Sequence, residues 1–461
     1  MSFRNFVTGP GPAYLLVLTD FFGLGCIMPL LPFFTQEKAE ANKAMWLGAI
    51  LTGQAAGVVL GTIINGRLSD TFGRRTVGII CMCGDCVMFF LSGIVTTPES
   101  MLAVRLLAGL FCPIPCAYGW IIDISPPAIR AKRLGQTSAA IMGGMFFGFT
   151  TAAIVGEFAN LFVAMLVPSV FAGCVAVLFL FFVPTPVIIQ GQAHVQSQAH
   201  AQAQAHATPA QDSEVVNASE VSIVKQPVPK KANPGPVLAT GRWRSLFLTQ
   251  FGVGLAVGHF TAIAMLMMVK KHGVTALGLG IFNICTIFIM LLSNLIVFPR
   301  VYQYLGQDLI LSGGLIICGI GFCFGWYCEF NLFVYFALML MIFLIVMLLL
   351  PTGQMAAADL SKVLTPTAVG SVQGLTRVGL DLGKVLAPII SATIYGDGEG
   401  SPWAYIWVGV SMVLIGCIHL CCSKAPEEVR LFLEAEKETE KKKQEENVTR
   451  DEESKDKKEV S

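Results

Sequence analysis

The sequence predicts an all-α membrane protein in which twelve transmembrane helices form two pseudo-symmetric six-helix bundles. Three observations predict this class: the composition, the apolar stretches and an internal repeat. Of the 461 residues, 54% are hydrophobic and 13% are charged, and the mean hydropathy is +0.68. A water-soluble enzyme of several domains would carry more charge. Twelve crossings of a bilayer core need about 20 apolar residues each, or roughly 240 in all, and the length accommodates them.

Apolar stretches follow one another along the chain, and each is long enough to cross a bilayer as a helix. Six precede a polar interruption, at 13–34, 45–66, 76–96, 101–122, 134–157 and 161–183. Six follow it, at 245–269, 276–298, 308–328, 331–353, 367–395 and 402–422. This grouping predicts an N-terminal bundle over residues 1–183 and a C-terminal bundle over residues 243–422.

Two polar segments lie outside the predicted bundles. Residues 184–242 are rich in Ala, Gln, His and Pro, so they cannot bury a core and predict a mobile linker. Residues 423–461 are dominated by Glu and Lys and predict a solvated, charged tail.

The basic residues that flank the spans predict the orientation in the membrane. If the N-terminus is cytoplasmic, the flanking bases on the opposite side are Lys38, Lys43, Lys270 and Lys271, and all the others face the cytoplasm. Because basic residues are retained on the cytoplasmic side, we expect a multi-pass protein with both termini in the cytoplasm. The pattern fits a plasma membrane and an organelle membrane equally.

Several classes of function find no support in the sequence. The formal net charge is +1, so no basic surface for nucleic acid is indicated. The chain has no G-x-x-x-x-G-K-[ST] loop and no nucleophile–base constellation on a loop, so we expect neither ATP-driven transport nor an enzyme. Most of the 14 Cys lie inside apolar runs, and neither a metal site nor a cofactor is predicted.

An internal repeat relates the two halves. Pro115 precedes Asp123 by eight residues in the first half, and Pro351 precedes Asp359 by the same interval in the second. Repeated halves with a substrate site at their interface, near the middle of the membrane, are typical of secondary transporters. The repeat therefore favours a carrier in which two equivalent bundles enclose the site.

The loop after the second span reads Gly66-Arg-Leu-Ser-Asp70-Thr-Phe-Gly73-Arg74-Arg75. Gly73 permits a tight turn, Asp70 and Arg74 are close enough to pair, and the basic residues hold the loop in the cytoplasm. By composition alone the loop is a positive-inside anchor. The order of its residues resembles the signature loop of the major facilitator superfamily.

Two further segments carry the same resemblance. Residues 18–32, LTDFFGLGCIMPLLP, look like the first helix of drug/proton antiporters of the tetracycline-exporter type, and Arg105-Leu-Leu-Ala-Gly109 runs on to Asp123 and Arg130. The resemblance implies the major facilitator fold and a buried Arg105 that is associated with proton movement. It also implies a cytoplasmic gate in which charged residues hold the two halves together; the predicted gate consists of Gly66, Asp70, Gly73, Arg74, Arg75, Asp123 and Arg130.

Carboxylates inside the spans are candidates for proton coupling. Ionisable groups within a bilayer are costly, so they face a cavity or a partner and are functional candidates by default. Asp20 is the acid of the first span and Asp85 is central in the third. A carboxylate shielded from water holds a proton more readily than one in water. The alternative for each is a structural hydrogen-bond acceptor; with Arg105 and Asp381 they form the predicted proton-coupling set.

Charged residues also lie on one face of the predicted eleventh span. Arg377, Asp381 and Lys384 are spaced i, i+4 and i+7. Pairing of Asp381 with one base leaves a net positive charge, which would attract an anionic substrate or pair with Asp20 across the interface. The alternative is a self-satisfied cluster that only stabilises the helix.

Uncharged polar groups complete the predicted substrate site. His259 lies halfway along the seventh span, where it would relay a proton or bind substrate, with a hydrogen-bonded core His as the alternative. Gln54, Gln250 and Asn283 are candidates for hydrogen bonds to substrate, and contact between helices is their alternative role. With Arg377 and Lys384, these residues form the predicted substrate-binding set.

Together these observations predict a monomeric secondary transporter that moves a small organic solute by alternating access, with protons as coupling ion. A membrane receptor or scaffold of the same fold that no longer transports is the alternative. It is favoured by Phe149, which stands where the antiporter motif of the fifth helix has Pro after Gly.

Overall fold

The computed structural model describes residues 3–125, 127–158, 161–184, 240–328, 330–364, 369–396 and 401–422. Nearly all of the predicted linker, residues 185–239, and the whole predicted tail, residues 423–461, lie outside the described residues. Within the described ranges the secondary structure is helical.

The first half of the chain forms nine helices within the described residues. They are α1 (Phe3–Thr8), α2 (Gly11–Ile27), α3 (Leu31–Lys38), α4 (Lys43–Phe72), α5 (Arg74–Ile94), α6 (Pro98–Leu110), α7 (Ile114–Ile124), α8 (Pro127–Phe158) and α9 (Leu161–Phe181). Local chemistry defines some ends: the Thr97 side chain accepts a hydrogen bond from the backbone N–H of Ser100 and thereby caps α6, which Pro98 begins.

The second half forms seven α-helices in the described ranges. They are α10 (Gly241–His259), α11 (Met265–His272), α12 (Ala276–Leu292), α13 (Phe298–Cys328), α14 (Leu332–Leu364), α15 (Val369–Tyr395) and α16 (Trp403–Cys422). Two π-helical turns, Phe260–Ala264 and Ser293–Val297, join α10 to α11 and α12 to α13.

Ten helical segments of the described chain are long and apolar enough to cross a membrane, and α2 with α3 forms an eleventh, bent by 41°. The predicted span 276–298 corresponds to α12, which has 17 residues before it turns π-helical. The all-α membrane fold is thus confirmed, whereas the count of twelve stays a prediction.

Equivalent helix crossings in the two halves show the pseudo-symmetry. Helix α2 packs along α8, and α10 packs along α15. The crossings are close because glycine meets glycine: a Cβ on Gly25 would lie 3.0 Å from the Cα of Gly148, and a Cβ on Gly383 would lie 2.7 Å from the Cα of Gly254. Backbones can approach this closely only where side chains are absent.

The two halves meet through a reciprocal pair of contacts. Helix α4 of the first half packs on α15, and α12 of the second half packs on α8. Thr52 donates a 2.7 Å hydrogen bond to the Val385 carbonyl, and the backbone N–H of Leu277 donates one of 3.1 Å to a Glu157 carboxylate oxygen. We call the end of the molecule that carries Glu157 and Leu277 the joined end, and the opposite end, which carries Gly73, the loop end.

Two apolar clusters form the core. The larger one crosses between the halves, because it joins Ile27, Leu30 and Leu47 near the joined end to Phe260 and Leu266 of the second half. The smaller cluster lies within the first half nearer the loop end, around Leu16, Trp120 and Phe179. Apolar packing between the halves is therefore concentrated near the joined end.

Candidate functional site

A polar cluster lies inside the first half, where four helices converge. Asp20 of α2, Gln54 of α4, Asp85 of α5 and Arg105 of α6 line one small cavity, with room for about one water molecule. The residues come from four different helices and are separated in sequence by up to 85 positions, so only the fold brings them together. We call these four residues the acid–base cluster.

The guanidinium of Arg105 is held by neutral groups. Its side chain is 1% exposed; Nε donates to Gln54 Oε1 over 3.1 Å and Nη1 donates to Ser92 Oγ over 3.3 Å. The guanidinium carbon also lies 5.9 Å from the centre of the Phe89 ring, within cation–π range. Ser92 and Phe89 were not among the predicted site residues, since a serine and a phenylalanine in an apolar helix give no signal.

The two carboxylates of the cluster lie in the electrostatic field of Arg105. Asp85 is 2% exposed, and its Oδ2 has no hydrogen-bond partner among the described residues. Asp20 is partly buried at the same cavity. Two acids therefore share one base in a region that excludes bulk water.

The structure places Arg377, Asp381 and Lys384 together on α15, in the second half. Asp381 Oδ1 lies 3.8 Å from Arg377 Nε and 3.4 Å from Lys384 Nζ. The side chains of Arg377 and Lys384 are 44% and 30% exposed, whereas Asp381 is 16% exposed. The side chains of the two bases are thus more exposed than that of the acid.

His259 and Gln250 are both buried in α10. His259 Nδ1 lies 2.9 Å from Ser391 Oγ, its ring packs edge-on against Phe322 and Tyr405, and its Nε2 has no partner among the described residues. Gln250 is fully buried, and neither its amide N nor its O has a partner among the described residues. A role for either in substrate binding remains a prediction.

Asn283 is buried in α12 and bonds within its own helix. Its amide donates over 2.8 Å to the Leu279 carbonyl, one turn earlier. Gln54 belongs to the acid–base cluster. A role for Asn283 or Gln54 in substrate binding remains a prediction.

The predicted gate loop forms a defined arrangement at the loop end. Gly73 has φ +87° and begins a turn that most residues resist. Arg74 Nε then donates over 3.1 Å to Asp123 Oδ2, and Arg74 Nη1 donates over 2.6 Å to Ser69 Oγ. Arg75 Nη2 donates over 2.7 Å to the Leu180 carbonyl near the end of α9.

The remaining gate residues are described in part. A Cβ on Gly66 would meet only Pro115, at 3.8 Å. The side chains of Asp70 and Arg130 lie outside what the structure describes, so their predicted roles stay predictions.

A counterpart of this loop occurs in the second half. Gly306 has φ +73° and interrupts α13, and the next residue, Gln307, donates over 2.8 Å to Asp359 Oδ2. The positions match those of Gly73, Arg74 and Asp123. The equal intervals from Pro115 to Asp123 and from Pro351 to Asp359 indicated Asp359 in the sequence. Its hydrogen-bond partner Gln307 was not predicted, because it is neutral where the first half has Arg74.

Comparison with known proteins agrees with this architecture. The sequence profile of the Major Facilitator Superfamily matches residues 13–388. The chain belongs to that superfamily. Members of this family are transporters and not enzymes.

Individual proteins are similar to this major facilitator chain over shorter or more divergent regions. It is 31% identical to the staphyloferrin B transporter of Staphylococcus aureus over 142 residues, 29% of this chain and 34% of that one. It is 30% identical to the class E tetracycline resistance protein of Escherichia coli over 150 residues, 32% of this chain and 36% of that one. The chain thus spans about a third of the length of the curated relatives it matches.

A solved structure shows the same fold over nearly the whole length. A bacterial homologue of the human lysosomal transporter Spinster, in an inward-facing and unoccupied conformation, aligns with a TM-score of 0.67 and 14% identity. The alignment covers 91% of this chain and 97% of that one. At this identity the likeness concerns the fold.

Proposed function

We propose that this major facilitator protein is a secondary active transporter that moves a small organic solute by alternating access and couples the movement to protons. The acid–base cluster is the observation that carries the proposal. Asp20, Asp85 and Arg105 have a net charge of −1 when all three are ionised, and they become neutral when one carboxyl group binds a proton. A buried neutral set costs less than a charged one, so this cluster favours uptake of one proton.

The cavity supplies a site for the exchange. A carboxylate that couples transport has to meet water in one state and be shielded in another. Asp85 is already shielded, with one unpartnered oxygen, while Asp20 is partly exposed at the same cavity. We therefore assign proton exchange with water to Asp20 and proton sharing to the pair.

The contacts between the halves support alternating access. Hydrogen bonds and apolar packing join the halves near the joined end, through Thr52, Glu157 and their partners. A carrier that is closed at one end needs the opposite end to open toward its solution. With the predicted orientation, the joined end lies on the non-cytoplasmic side, and in our proposal the loop end opens toward the cytoplasm, as in the inward-facing Spinster homologue.

The gate loops supply the part that changes between states. Arg74 and Asp123 form a charged contact inside the first half, beside the loop end. In our proposal this contact fixes the loop while the halves separate, and the same loop approaches the second half when the loop end closes. The Gln307–Asp359 contact has the equivalent role with less charge.

The proposal is tested in proteoliposomes that contain the full-length protein and a trapped pH-sensitive dye. A panel of anionic, cationic and neutral organic compounds is added outside under an imposed pH gradient. At least one compound is expected to accelerate proton flux, and Asp20→Asn is expected to remove that acceleration because an amide cannot carry the proton.

Glu99→Gln is the matched control, because Glu99 is an exposed acid in the first turn of α6, outside the cavity. It is expected to retain the flux. Flux that survives Asp20→Asn would disprove proton coupling at this residue. If no compound of any charge class changes the flux or accumulates inside the vesicles, the protein is not a transporter of this kind. That result would favour a membrane receptor or scaffold of the same fold.

A further inference from the structure

We infer that the solute is an organic anion, and that its anionic group binds Arg377 and Lys384 of α15. This inference rests on the proposed transport function and specifies its substrate class. Four features support it: the unfilled donors of the two bases, their long distances to Asp381, the absence among the described residues of an ion pair to an acid of the first half, and the position of the site between the halves.

The two bases have hydrogen-bond donors to spare. A guanidinium carries five N–H groups and an ammonium carries three. Among the described residues, Arg377 makes no hydrogen bond, and Lys384 makes only the 3.4 Å bond to Asp381. Donors without acceptors are costly inside a membrane protein unless water or a ligand reaches them, and the side chains of Arg377 and Lys384 are 44% and 30% exposed, which leaves them open to such a partner.

The internal carboxylate of Asp381 does not satisfy the bases. Strong charged hydrogen bonds between N–H and carboxylate oxygens measure about 2.7–2.9 Å. Here a single oxygen, Oδ1, faces both bases at 3.4 and 3.8 Å. One acid between two bases also leaves a net charge of +1. A second carboxylate-like group would therefore balance the charge on this face of α15.

Asp20, the alternative partner across the interface, forms no ion pair with these bases among the described residues. Asp20 lies in the acid–base cluster of the first half, where Arg105 is the base that acts on it. No ion pair within the described residues links α15 to an acid of the first half. A self-satisfied cluster would require shorter contacts and more burial than Arg377 shows.

The site lies at the boundary between the two halves. Val385, next to Lys384, accepts the hydrogen bond from Thr52 of α4, so this part of α15 borders the first half. Gln54, two residues along α4 from Thr52, belongs to the acid–base cluster. An anion on Arg377 and Lys384 would thus be held at the boundary between the halves, close to the proposed proton site.

Binding of a matched set of probes to the purified full-length protein tests the inference. The set consists of naphthalene-1-carboxylate, naphthalene-1-carboxamide and naphthalen-1-ylmethylamine, which share size and ring but carry negative, zero and positive charge. Isothermal titration calorimetry in detergent is expected to show binding of the carboxylate at least tenfold tighter than of the other two.

Variants separate a binding role from a structural one. Arg377→Gln and Lys384→Gln are each expected to weaken carboxylate binding tenfold or more, and Arg377→Lys to restore part of it. Asp381→Asn is expected to strengthen binding several-fold, because it removes the internal competitor. Arg300→Gln is the control, since Arg300 is an exposed base whose side chain donates to the Ile296 carbonyl of the adjoining π-helical turn; this variant should bind as the unaltered protein does.

The outcomes distinguish the inference from the function on which it rests. If the carboxylate does not bind preferentially, or if Asp381→Asn weakens its binding as a purely structural salt bridge would, the inference is overturned. When flux is then seen with a cationic or neutral compound, the transport function still stands. Preferential carboxylate binding without any flux would instead support the site and overturn the transport proposal.

Discussion

Gln307 of α13 donates a 2.8 Å hydrogen bond to Asp359 of α14, in the place where Arg74 faces Asp123 in the other half. Each donor follows a glycine with positive φ, and each acceptor lies at the loop end. The two halves therefore share the geometry of the loop, whereas the donor is charged in the first half and neutral in the second. The first half has the stronger, charge-assisted contact.

Gly73 and its counterpart in the second half, Gly306, give a prediction about backbone strain. Gly73→Ala and Gly306→Ala are each expected to lower the free energy of unfolding by about 1–3 kcal/mol, because their φ values of +87° and +73°, with ψ near 150–175°, suit glycine alone. No described residue lies within 4 Å of the added Cβ in either case, so no clash with these residues contributes. Denaturant unfolding in detergent measures the change.

Gly143→Ala is the matched control for those variants. Gly143 also has open space around its Cβ position, but it lies inside α8 with negative φ. Alanine there is expected to stabilise by up to about 1 kcal/mol, since it favours the helix. Equal destabilisation of all three variants would contradict the strain argument.

A double-mutant cycle tests the acid–base cluster. Arg105→Met is expected to destabilise the protein by about 3–5 kcal/mol, because it leaves buried carboxylates without their base. Adding Asp85→Asn should recover part of that loss, giving an interaction free energy of about 0.5–3 kcal/mol between the two sites. Thermal unfolding of the four purified forms measures it, and strictly additive effects would show that Asp85 and Arg105 do not interact.

The contact between His259 and Ser391 gives a third prediction. Ser391→Ala is expected to cost about 1–3 kcal/mol, since it removes the partner of His259 Nδ1 and the acceptor of the 3.2 Å bond from Trp407 Nε1. Thr393→Ala is the control on the same helix, because Thr393 is exposed and, among the described residues, bonds only to the Ile389 carbonyl of its own helix. It should change stability by less than about 0.5 kcal/mol. Similar losses in both variants would argue against a structural role for the histidine.

Much of the fold was accessible from the sequence because hydrophobicity sets the spans. Departures from the predicted spans have local causes. The first span, 13–34, is divided into α2 and α3 next to Pro29 and Pro32, since proline lacks the N–H that a continuous helix needs. The eighth continues from α12 into a π-helical turn, which no periodicity in the sequence indicated.

The sequence predicted only part of the candidate site, and it did so through charge rather than through hydrophobicity. Charged residues such as Asp85 and Arg105 stand out against apolar helices, whatever the fold. Their grouping around one cavity with Gln54 depends on how four helices pack, and periodicity within one helix does not report that. Asn283 is a candidate substrate ligand from the sequence, and the structure adds that its amide donates to a carbonyl of its own helix, which one-dimensional periodicity does not report.

The apolar cluster that crosses between the halves has a consequence for energetics. If the halves separated at the joined end, Ile27, Leu30 and Leu47 would become exposed to water. This exposure would cost roughly 25 cal/mol for each Å² of apolar surface. In the alternating access proposed above, this cost disfavours opening of the joined end unless closure of the loop end or a bound solute offsets it. A solute offsets it only to the extent that it binds the other conformation more tightly.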